Sequence, residues 1–63
     1  MPNNAEIAKT TIEDFREIQR FMQIAKDEEA LKTYAELKKK YISLKALLTV
    51  LGVNLTDIDE IKE

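Results

Sequence analysis

The chain has 63 residues, of which 35% are charged and 44% hydrophobic, and its net charge is −2. It contains neither cysteine nor histidine, so disulfides and thiolate or imidazole ligation of zinc, copper or haem are excluded. A chain this short forms one domain and buries only about 60% of its unfolded surface. With no disulfide or metal to help, the expected source of further stability is a partner chain, and a homodimer is predicted.

The opening Met1-Pro2-Asn3-Asn4 has no basic region and no apolar stretch behind it, which predicts no secretory signal. The most apolar stretch, Ala46 to Val53, falls far short of the roughly 20 residues that span a bilayer. A cytoplasmic protein with no membrane partner is expected.

Between Pro2 and Gly52 the chain has no proline or glycine and is rich in Ala, Leu, Glu, Lys, Ile and Gln, mostly good helix formers. No strand-like alternation or hairpin dipeptide appears. The predicted fold class is all-α. It is an antiparallel helical hairpin with a short third C-terminal helix, completed by self-association into a four-helix-type bundle. Residues 1–63 form a single helical domain, with about 1–9 frayed.

The first helix is predicted over about 10–26. Thr10 and Glu13 form a capping box, and Thr11 with Asp14 offers an equally good frame. Ile12, Phe15, Ile18, Met22 and Ala25 then recur at spacings of three and four, with Phe21 and Ile24 widening the stripe.

The second helix is predicted over about 28–51. Ala30, Tyr34, Leu37, Tyr41, Leu44, Leu48 and Leu51 alternate by four and three, the seam of left-handed helix pairs. Tyr34 and Tyr41 read as core-edge residues with solvated hydroxyls. The first stripe, extended, lands on Glu29 and Lys32, so the second is rotated from it by about 100°. Asp27 is a competent N-cap, which places a tight turn near Lys26-Asp27. One continuous helix of some forty residues is the alternative.

Gly52 suits the left-handed position that ends a helix, and Val53 suits the apolar contact that accompanies it. Asn54 or Thr56 would cap a third helix over about 55–62, with Ile58 and Ile61 facing inward. The segment from Leu47 to Ile61 resembles the helix-turn-helix pattern of DNA-binding domains. Gly52 stands as the turn glycine, and Leu48, Leu51, Val53, Ile58 and Ile61 stand at the buried positions. The resemblance covers about a quarter of the chain and departs at the recognition helix. That helix would show Asp57, Asp59 and Glu60 to solvent, where phosphate contacts need Lys or Arg.

No catalytic, cofactor or metal site is predicted. There is no histidine base for a nucleophile, Ser43 has no activator, and a single glycine cannot build a phosphate loop. An enzyme is not expected. Residues Ala30 to Leu51 carry five lysines against Glu36 alone. Lys38, Lys39 and Lys40 spread over about 200° of a helix, so only Lys38 and Lys45 stack as a candidate basic patch. A solvated face is the better reading of it, and nucleic acid is not expected as a partner. From Leu44 to Leu51 the helix is apolar nearly all round and must be covered on more than one side. Ile42, Ala46 and Val50 form a separate row there and are the candidate partner interface, the row through which self-association is expected. The expected function is a small non-enzymatic protein–protein interaction module, a regulator, inhibitor or adaptor. The alternatives are a DNA-associated accessory protein and a structural subunit of a larger assembly.

Overall fold

The computed structural model describes residues 3–63, and among them it is a helical hairpin with no strand. Helix α1 spans Asn4–Asp27 and α2 spans Leu31–Val50. The two are separate, so the single long helix is excluded.

α1 begins six residues before the expected start. Asn3 is its N-cap, with its side-chain oxygen accepting from the Glu6 N–H at 2.9 Å, and Glu6 places a negative charge in the first turn. The same capping logic that pointed to Thr10 applies seven residues earlier, at Asn3. Thr11 instead sits inside the helix, buried, its hydroxyl donating to the Ile7 carbonyl at 2.7 Å. Of the nine residues expected to fray, Met1 and Pro2 lie outside the described residues, and Asn4 onward is helical.

The turn comes at Glu28–Ala30, one or two residues later than Lys26-Asp27. Asp27 therefore ends α1 rather than capping α2. The Ala30 N–H reaches back to the Ala25 carbonyl (2.8 Å) and the Glu29 N–H to that of Lys26 (3.1 Å). This pair of bonds is a Schellman closure, with Glu29 in its left-handed position at φ 58°. The same motif recurs at the end of α2, where the Val53 N–H bonds Leu48 O at 3.0 Å and the Gly52 N–H bonds Thr49 O at 3.1 Å. Gly52 takes φ 79° as its residue type favours, and Val53 packs onto the core.

The core is one cluster of Phe15 and Met22 from α1 with Tyr41, Leu44 and Leu48 from α2. The Phe15 and Tyr41 rings stack with centroids 5.2 Å apart. Tyr34 and Leu37 extend the seam at its edge, as the four-three spacing predicts. Phe21 and Ile24 do not join the core. They are 41% and 47% exposed, because the buried stripe of α1 runs through Thr11, Phe15, Gln19 and Met22 instead.

Residues 51–63 form no third helix. One turn closes at Leu55, whose carbonyl accepts from the N–H groups of Ile58 (3.2 Å) and Asp59 (2.8 Å). The next N–H groups, those of Glu60 and Ile61, point to the side chain of Gln19 instead of the carbonyls a helix would use. With no second helix after Gly52, the segment is not a helix-turn-helix.

Two substitutions test the paired closures. Glu29→Gly relieves a left-handed side-chain residue and should raise stability by about 0.5–1 kcal/mol. Gly52→Ala meets no atom within 4 Å, so its cost is backbone strain alone, about 1 kcal/mol. Thermal melts should therefore move in opposite directions, each by a few degrees on the scale of about 4–8 °C per kcal/mol for small domains.

Candidate functional site

Two features distinguish the molecule: the clamped C-terminal segment and the faces of α2 left uncovered.

The clamp is built from three buried polar side chains. Gln19 sits on the core stripe of α1 at i+4 from Phe15 and is 3% exposed. Its amide nitrogen donates to the Ile58 carbonyl at 2.8 Å and, at 3.4 Å, to the Phe15 carbonyl. Its amide oxygen accepts from the N–H groups of Glu60 (2.7 Å) and Ile61 (3.0 Å). One side chain thus takes over the backbone pairing that a third helix would have made for itself.

The second anchor comes from α2. Tyr41 is fully buried and its hydroxyl donates to Asp59 Oδ1, so the expectation of a solvated hydroxyl does not hold. The same hydroxyl accepts from the Glu63 N–H at 3.2 Å. Asp59, read from sequence as solvent-facing, is 7% exposed and is the hub of the segment. Lys62 N–H donates to its Oδ1 at 2.8 Å, and Lys45 Nζ lies 2.9 Å from its Oδ2. No buried side-chain nitrogen or oxygen among the described residues lacks a partner.

These contacts redefine the candidate basic patch. Lys38 and Lys45 do lie on one face, but neither is merely solvated. Lys38 pairs with Glu63 Oε2 at 2.9 Å, and Lys45 bonds both Asp59 and the Glu63 carbonyl, the latter at 2.9 Å. Tyr34 adds a hydrogen bond to Glu63 at 3.0 Å. The acids of the C-terminal segment occupy the patch.

Electrostatics follow the geometry. Burial alone would raise the Asp59 carboxyl, but hydrogen bonds from Tyr41, Lys45 and the Lys62 N–H outweigh it and hold its pKa below the ordinary value. Burial, and then the bond to Asp59, push the Tyr41 hydroxyl up. The bond to Asp59 also raises Lys45.

The candidate partner row lies elsewhere on α2. Ile42 is 51% exposed and Val50 83%, and Ala46 between them is exposed too. Neither α1 nor the C-terminal segment reaches this row, although the segment folds back on the hairpin. Sequence reasoning missed Gln19 and Asp59. The available signal was a glutamine in phase with Phe15 and Met22, where an apolar residue was due. Among the described residues, no helix is long and apolar enough to cross a membrane.

Acid should loosen the clamp through Asp59. Its folded pKa is depressed, so its contribution is fully present above the unfolded value of about 3.9 and is lost as pH falls through the folded value. Tyr41 and Lys45 are raised, so their contributions are present below about pH 10 and are lost as pH rises through their folded values. Asp59→Asn should cost about 1–3 kcal/mol at neutral pH. The wild-type and variant melting curves should converge at strongly acidic pH. Gln19→Leu should accelerate amide exchange at Glu60 and Ile61 while leaving α1 and α2 protected.

No family model matches the chain, and neither a curated protein nor a solved structure matches it.

Proposed function

We propose that the chain is a small non-enzymatic protein–protein interaction module, a regulator, inhibitor or adaptor, that acts by laying an apolar helix face on a partner in the cytoplasm. The observation that carries this reading is the outer row of α2. Ile42, Ala46 and Val50 stay exposed once the other described segments of the chain have docked. Leu31, at the start of the same helix, is 78% exposed. A helix apolar on two sides has a use for its second side, and an uncovered apolar patch marks an interaction surface. The module works as a self-associated unit, as a 63-residue chain without disulfide or metal favours.

The DNA-associated alternative draws less support. Phosphate binding needs a cluster of free cations, and the stacked Lys38 and Lys45 are already engaged by Glu63 and Asp59, which leaves Lys32 and Lys40 as the lysines of α2 unpaired among the described residues.

Ile42→Lys combined with Val50→Lys tests the reading. Both side chains are exposed, so the circular-dichroism spectrum should not change. Immobilised wild-type protein should retain a discrete partner that the double variant loses, and equal retention by both would sink the row as the partner surface. Wild-type protein should also give no mobility shift with duplex DNA at physiological salt.

A further inference from the structure

The hairpin is one helix layer thick. Its principal extents are 39 × 24 × 14 Å, and residues 53–63 close only one of its two broad faces. That closure uses Gln19 on α1 with Tyr41 and Lys45 on α2. The opposite flank of each helix borders a shallow groove that no residue of the C-terminal segment lines.

The groove consists of two adjoining depressions that share Ile18 and Lys40. Its floor is apolar, made by Ile18 from α1 with Leu37 and Leu44 from α2, all touching the core cluster or part of it. Phe21 stands three residues beyond Ile18 and Leu47 three beyond Leu44, each 41% exposed, so the apolar surface continues along both helices. The rims differ in sign. Asp14 and Glu17 line the α1 side, and Lys32 and Lys40 line the α2 side. Glu36 also borders the α2 side but pairs with Lys39 at 3.1 Å. None of the ion pairs among the described residues uses Asp14, Glu17, Lys32 or Lys40.

We propose that this open face receives a second copy of the chain, giving a symmetric four-helix bundle. The proposal deepens the self-association named above by assigning it a face, and that face is not the outer row. A two-fold axis along the hairpin's length lays α1 of one copy antiparallel on α2 of the other. It leaves the height of every residue along the hairpin unchanged. Asp14 and Glu17 border the same stretch of groove as Lys40, so the second copy's carboxylates arrive over that lysine. The contact is isologous, as a two-fold dimer requires, and each acidic rim meets a basic one.

The area is sufficient. A 20-residue helix is about 30 Å long, and two helices about 8–10 Å apart present a face of roughly 600 Å² per copy. That approaches the ~800 Å² per partner of a standard stable interface. Pairing through this face leaves Ile42, Ala46 and Val50 on the outside of the bundle, free for a different protein.

Charge reversal tests the assignment with side chains that are all exposed. In sedimentation, wild-type protein should show twice the 7.3 kDa chain mass in the micromolar range. Asp14→Lys with Glu17→Lys makes both rims basic, and Lys32→Glu with Lys40→Glu makes both acidic. Each double variant alone should be a monomer with unchanged helical circular dichroism, and an equimolar mixture of the two should regain the dimer mass. A wild-type monomer throughout that range would overturn the proposal and the self-association it rests on. Double variants that remain dimers, or a mixture that stays monomeric, would overturn the groove alone. A dimer lost on Ile42→Lys with Val50→Lys would move self-association to the outer row and leave the interaction-module reading standing.

Discussion

The side-chain amide of Gln19 presents a donor and an acceptor on one rigid plane, and both are spent on the backbone of residues 58–61. A buried amide without partners costs several kcal/mol, and so do buried backbone groups that lack them. In this molecule each satisfies the other. Remove the amide and two N–H groups and a carbonyl lose their partners together. The C-terminal segment then keeps its apolar contacts and the bonds of Tyr41 and Lys45 to Asp59, but loses the bonds that set the register of residues 58–61 on α1.

That register positions the rest. Asp59 reaches the Tyr41 hydroxyl because Gln19 holds Ile58 on one side of it and Glu60 on the other. The ion pairs of Lys38 and Lys45 then form at the edge of the same segment. The Lys38–Glu63 pair is exposed and adds little on its own, whereas Lys45 meets the buried carboxylate of Asp59. Their effect is to neutralise cations that would otherwise form a basic strip along α2. The surface that remains is apolar along the outer row of α2 and split in charge across the open groove.

The features legible in the sequence are those set by local chemistry. The helical hairpin, the four-three seam through Tyr41, Leu44 and Leu48, and the stop at Gly52 follow from spacing, propensity and backbone conformation. The turn falls later than the capping residues predict because Glu29 adopts a left-handed conformation that its residue type does not advertise. The third helix failed for a different reason. Ile58 and Ile61 have helical spacing, but the N–H groups that would extend the helix find Gln19, about forty residues away in sequence and invisible to any local pattern. Asp59 shows the same limit, since a carboxylate between isoleucines reads as surface until its donors are known. The outer row of α2 was legible as excess apolar surface, whereas the groove was not, because its rims come from two different helices.

The separation of these contacts along the chain also sets an order of assembly. Contacts within the hairpin join segments linked by a three-residue turn, so they form after a short search. The bonds of Gln19 span 39 to 42 positions and become favourable only when α1 and α2 already lie side by side. The hairpin is thus the template and the C-terminal segment the last piece to settle. On a growing chain, α1 and α2 are both complete while the residues that cover them are still unmade. During that interval both broad faces of the hairpin are open, and only the later arrival of Asp59 and its neighbours makes the two faces different.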